Sequence, residues 1–94
     1  MARVVWTLPA RRDLRRIREH IEQDSRRAGR LFADRILDAT RQLEQFPRVG
    51  RLIPDDERGE VRQIFVRGYR IVYLVRPERV DILTVVHGAR LFAD

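Results

Sequence analysis

The sequence contains no cysteine and no lysine. Without cysteine there is no disulfide framework and no thiolate metal site, a composition that suits a reducing compartment. Without lysine, all 20 basic residues are arginine, and a guanidinium with a pKa above ~12 is a poor general acid or base. No apolar run approaches the ~20 residues needed to span a bilayer, and the opening Met-Ala-Arg-Val-Val-Trp has no signal-peptide core. No glycine-rich phosphate loop, nucleophile-elbow serine or metal-type histidine pair occurs. These absences lead us to expect a cytoplasmic protein with no membrane segment, no metal and no cofactor.

What is present is charge and β-branched residues. The 94 residues carry a net charge of +6, and a single domain over residues 1–94 is expected. Such a chain buries only roughly 60–65% of its unfolded surface, so it gains from a partner. The charge is uneven: residues 1–48 hold twelve arginines against seven acids, and residues 49–94 hold eight against seven. A basic surface of this kind attracts RNA, DNA or an acidic protein.

Along the chain, residues 3–7 predict a short strand. Thr7 is placed to cap a helix whose first turn holds Pro9. Ala10, Leu14, Ile17 and Ile21, spaced four, three and four, make one apolar stripe to about Asp24. Ser25 can cap a second helix with Ala28, Phe32, Ile36, Ala39 and Leu43 on one face. Phe46 is expected to close that stripe and Pro47 to stop the helix. Two helices joined so tightly fold back as a hairpin. Residues 47–60 predict a loop, and 61–66 a strand. Arg67-Gly68 predicts a tight turn, since glycine accepts positive φ. Tyr69–Val75 and Arg79–His87 predict the last two strands, joined through Arg76-Pro77-Glu78-Arg79. The expected fold class is α+β, in the order β-α-α-β-β-β. A helical hairpin packs on one face of a mainly antiparallel four-stranded sheet.

Three groups of residues could carry chemistry. Arg11, Arg12, Arg15 and Arg16 crowd the first two turns of helix one, where positive charge opposes the helix dipole. They form either a solvated face or a contact surface for an acidic partner, and the off-stripe Leu37 could join that contact. Arg62, Arg67 and Arg70 on the middle strands, with His87 and Arg90 at the end of the last, could converge on one side of the sheet. Arginine forks hold phosphate and histidine moves protons near neutral pH, so His87 is the catalytic candidate; it could equally bond backbone where the sheet ends. Trp6, Tyr69 and Tyr73 could stack on bases, but strand aromatics are more often packed. Asp55, Asp56, Glu57 and Glu60 lack regular ligand spacing and read as a solvated loop.

Several ordered segments carry a resemblance. They are Trp6-Thr-Leu-Pro-Ala10, Asp13-Leu14, Ile17, Phe46-Pro-Arg-Val-Gly-Arg51, Gly68-Tyr-Arg-Ile-Val-Tyr73 and Val80-Asp-Ile-Leu-Thr-Val-Val-His-Gly-Ala-Arg90. Together they resemble the RelE/ParE superfamily of bacterial toxins over nearly the whole chain. That resemblance implies a growth-inhibiting, plasmid-stabilising toxin neutralised by a cognate antitoxin, ParD-like or another short DNA-binding protein. RelE-type members cleave mRNA on the ribosome; ParE-type members inhibit DNA gyrase. The Pro-Arg-Val-Gly-Arg loop and the His-Gly-Ala-Arg ending are closer to the ParE type. The tail Leu91-Phe-Ala-Asp94 has no tyrosine and the chain no lysine, both departures from the nuclease pattern. Gyrase is therefore the expected target. The alternative is a ribosome-dependent mRNA endoribonuclease with His87 moving protons and Arg62, Arg67, Arg70 and Arg90 on phosphate.

Overall fold

A computed structural model describes residues 1–88 of the chain. β1 (Arg3–Trp6) leads into α1 (Leu8–Glu22) and α2 (Arg26–Arg41), which tightens into a 3₁₀ turn (Gln42–Glu44). Then follow β2 (Arg51–Ile53), β3 (Glu60–Val66), β4 (Tyr69–Val75) and β5 (Arg79–His87). The strands form one sheet in the order β1-β5-β4-β3-β2, with β1 parallel to β5 and all other pairs antiparallel. The sheet thus has five strands rather than the expected four. The extra one is β2, a three-residue strand inside the 47–60 segment that pairs with β3. No helix among the described residues is long and apolar enough to cross a membrane.

Both helix starts follow from their caps. Thr7 accepts the Ala10 N–H at 3.4 Å and donates its own hydroxyl to the Ile82 carbonyl at 2.6 Å, so one side chain caps α1 and pins it to β5. Ser25 accepts the Ala28 N–H at 3.1 Å. The hairpin turn after β3 has Arg67 at φ 55° and Gly68 at φ 82°, both left-handed, as a two-residue turn matched to strand twist requires.

The principal core lies between the helices and one face of the sheet. Phe32, Ile36 and Leu43 pack there with Ile71, Tyr73, Val80, Ile82 and Val85. A fully buried side chain of this size contributes about 1.5–3 kcal/mol. A second, smaller cluster of Val61, Val72 and Leu74 sits on the other face, flanked by Ile53 and Leu83.

The α2 seam differs from the expected stripe. Gly29, Phe32, Ile36 and Thr40 are buried, so the seam is turned by one residue from Ala28 and Ala39. Gly29 meets α1 so closely that a Cβ there would lie 2.9 Å from the Arg18 carbonyl oxygen. Phe46 does not close the stripe: it is 61% exposed, because the 3₁₀ turn ends the core contact at Leu43.

Candidate functional site

Strand alternation distributes the sheet's functional side chains between two faces. Register and core membership fix which face each takes. Tyr73, Ile71 and Tyr69 point toward the helices, whereas Arg70, Val72 and Leu74 point away. Arg62 lies opposite Tyr73 on the helix side, and Arg70 lies opposite Phe65 on the outer side. The expected convergence of Arg62 and Arg70 is therefore corrected.

β5 adds a second correction. Its pairing slips between Val72 and Tyr73: Tyr73 faces Ile82, but Val72 faces Thr84, leaving Leu83 as the extra residue of a β-bulge. Before the bulge Val80 and Ile82 face the helices, and after it Val85 does. The odd-numbered His87 consequently joins the helix side, paired with Tyr69. A regular strand would have put it on the outer face beside Arg70. Tyr69 is also four residues from Tyr73 along β4, ~13 Å, so His87 and Arg62 stand apart on the face they share.

The expected phosphate-binding arginines do structural work or stand alone. Arg62 donates to Glu60 at 2.8 Å and to the Gly50 carbonyl at 2.8 Å. Arg70 is buried, donates to the Gly88 carbonyl at 2.9 Å, and lies 5.7 Å over the Phe65 ring. Arg67 is exposed at the turn tip. Arg90 lies outside the described residues. Tyr73 is fully buried rather than available for stacking.

Two surfaces are nevertheless assembled. The first is a cleft of about 430 Å³ between α1 and the ends of β4 and β5, lined by Asp13, Arg16, Ile17, His20, Tyr69 and His87. The His87 ring meets Tyr69 edge-on at 5.3 Å, and Tyr69 meets Phe32 at 4.9 Å. Asp13 organises this cleft. One carboxylate oxygen accepts from the Thr84 hydroxyl at 2.6 Å and the Val85 N–H at 3.1 Å, and the other accepts from Arg16 at 2.8 Å. Sequence reasoning missed both His20 and this role of Asp13. Nothing local marks a residue whose partner lies about seventy positions away.

The second surface is a groove of about 410 Å³ with Trp6, Leu14, Ala33 and Leu37 as its apolar lining and Arg11, Arg15 and Arg18 as its rim. Leu37 also lines a depression with Val4, Trp6 and Thr40 beside the edge strand β1. The expected contact set thus divides. Arg15 and Leu37 share this groove, Arg16 belongs to the histidine cleft, and Arg12 is exposed on α1 without lining either.

The loop between α2 and β3 is held by a third cluster. Glu60 accepts from Arg48 at 2.9 and 3.1 Å as well as from Arg62, and these arginines, Arg62 first, hold its carboxyl below the usual range. The Gly50 N–H donates to the Tyr73 hydroxyl at 2.9 Å, and burial raises that phenol's pKa. In the acidic segment, Arg58 draws Asp56 down to about 2 through side-chain and backbone hydrogen bonds. Asp56 and Glu60 are thus both engaged by arginine.

Comparison with known proteins agrees with this architecture. Residues 4–92 match the family described as ParE toxin of type II toxin-antitoxin system, parDE. The chain is 38% identical over 91 residues to a Caulobacter vibrioides protein named Toxin RelE2, covering 97% of this chain and all of the relative. A solved structure titled "Chromosomal ParDE TA system from P. aeruginosa" superposes with a TM-score of 0.77 at 21% identity, over 93% of this chain and 96% of that one. The chain belongs to the ParE toxin family of type II toxin–antitoxin systems, within the RelE/ParE superfamily.

Proposed function

We propose that this toxin acts in the cytoplasm by binding and inhibiting DNA gyrase, without catalysing a reaction itself, and that a ParD-like antitoxin silences it. The observation that carries this reading is the dispersal of the nuclease set. His87 faces the helices, Arg70 is buried on the opposite side, and Arg62 is bonded into the loop anchor. A match to the parDE family over residues 4–92 supports the same target class.

The α1–α2 groove suits the antitoxin. Its lining is apolar, its rim is arginine, and it adjoins an open sheet edge. An acidic amphipathic segment would bury its apolar side against Trp6 and Leu37 and meet Arg15 at the rim. Leu37→Asp is expected to weaken antitoxin binding at least tenfold while the fold stays intact by circular dichroism. Unchanged binding would move the interface elsewhere.

A ribosome-dependent endoribonuclease is the second reading. It is favoured by the RelE2 name of the Caulobacter relative and by the pairing of His20 with His87 in one cleft. Purified toxin is expected to block gyrase supercoiling at stoichiometric concentration and to leave translated mRNA intact. Cutting of mRNA on ribosomes, with gyrase untouched, would reverse the order of the two readings.

A further inference from the structure

We propose that the cleft between α1 and the ends of β4 and β5 is a binding site for a nucleotide phosphate, whichever target the toxin inhibits. Three cationic or proton-bearing side chains line it from two directions: Arg16 and His20 from the helix, and His87 from the sheet. Arginine offers a planar fork of donors, and imidazole adds one or two N–H groups. Asp13 uses one oxygen on Arg16 and the other on Thr84 and Val85. The Asp13–Arg16 pair is thus close to net neutral, and the guanidinium keeps N–H groups beyond the one that meets Asp13.

Two independent features show that the cleft is built rather than incidental. The β-bulge at Leu83 is what turns His87 toward α1, and bulges recur where a strand must re-aim a functional side chain. Asp13 then ties α1 to β5 two residues before His87, fixing the distance between the cleft's walls. The ligand is a nucleotide rather than bare phosphate because Ile17, Val85 and Tyr69 line the same cleft. Its volume of about 430 Å³ falls in the range typical of small-ligand sites. A metal ion does not fit this donor set: no group of three histidine, cysteine or acidic side chains is poised for one among the described residues.

The test is a nuclear magnetic resonance titration of the intact, isotope-labelled protein with three probes: inorganic phosphate, adenosine 5′-monophosphate and a single-stranded hexaribonucleotide. Saturable shifts of the His20 and His87 ring resonances are expected. Saturation by the mononucleotide assigns a free nucleotide as ligand, whereas saturation only by the oligomer assigns a nucleotide within a strand; either supports the site. Arg16→Gln and His20→Gln should each weaken binding about tenfold or more, the loss expected for a charge-assisted hydrogen bond. Both side chains are exposed, so these variants are expected to fold. Arg27→Gln, which removes the same charge from the exposed side of α2, should bind as the parent does. Absence of saturable shifts with all three probes, saturation by inorganic phosphate as tight as by either nucleotide probe, or an equal loss in Arg27→Gln, would overturn the assignment.

Discussion

Replacing Tyr73 with phenylalanine removes one oxygen atom from the interior and leaves the hydrocarbon packing of the ring unchanged. That oxygen accepts the Gly50 N–H at 2.9 Å, inside a ring that is itself fully buried. Gly50 cannot simply swing to a new acceptor. A Cβ there would lie 2.5 Å from the Tyr73 oxygen and 2.7 Å from the Gln63 carbonyl oxygen, so the loop is wedged against β3 and β4. An orphaned buried N–H costs about 1–3 kcal/mol. In a domain of this size each kcal/mol lowers Tm by roughly 4–8 °C. Thermal unfolding followed by circular dichroism should therefore show Tyr73→Phe melting on the order of 5–20 °C below the parent. The pH dependence gives a second readout. Burial raises the phenol's pKa in the folded state above the ordinary value of 10.0. Below that value the phenol is neutral in both states and its contribution is complete. As pH climbs past it, the unfolded chain releases the proton first, and stability falls until the folded phenol ionises too. The phenylalanine variant should lose this component of alkaline destabilisation. A variant that melts within 2 °C of the parent, with an unchanged alkaline limb, would refute the claim that this hydrogen bond anchors the loop.

Other perturbations follow from the same structure. Asp13→Ala strips the acceptor from the Thr84 hydroxyl and the Val85 N–H, and should cost about 1–3 kcal/mol in urea unfolding; Asp13→Asn should recover part of it. Arg67 holds a left-handed φ of 55° that asparagine tolerates better. Arg67→Asn should raise stability by about 0.5–1 kcal/mol, measured by thermal melting, and any accompanying loss of toxicity would mark the guanidinium as a target contact. Glu60 has a folded pKa lowered by Arg62 and Arg48. Its contribution is present above the ordinary glutamate range and disappears as pH falls through the folded value. Glu60→Gln should thus flatten the acid limb of a stability–pH curve while leaving the alkaline limb alone.

Much of the fold was legible because it is written in local spacing. The three–four periodicity of α1, the Thr7 and Ser25 caps and the Arg67-Gly68 turn each concern residues within a few positions of one another. The two long strands of the final hairpin were recovered to the residue because their turn is unambiguous. The misses have a common cause, which is tertiary context. β2 is three residues among turn formers, and only its pairing to β3 makes it a strand. The α2 seam turns by one residue because α1 presses on Gly29, and a helical wheel cannot show that. At the candidate site, the sequence names His87 as the proton-transfer candidate, and the structure places it in the cleft against Tyr69. Its grouping with Arg16 and His20 was not legible, because those two come from α1 and meet it only in the folded chain.

The bulge explains why the two halves of the expected site separated. Sequence period alone assigns every odd residue of β5 to one face, and on that assignment Asp81, Leu83 and His87 would share the outer surface with Arg70. One inserted residue divides the strand into two phases. Before it, Asp81 faces outward and accepts from Arg76 and Arg79 near the hairpin tip. After it, His87 faces inward against Tyr69 and α1. A half-buried sheet normally tolerates such a slip poorly, because it moves apolar residues to the wrong face. Here the cost is small, since the two apolar clusters place Leu83 with the outer one and Val85 with the inner one. Apolar residues on both sides of the bulge let the strand change phase without exposing its core, and the polar residue beyond them is delivered to the helix side.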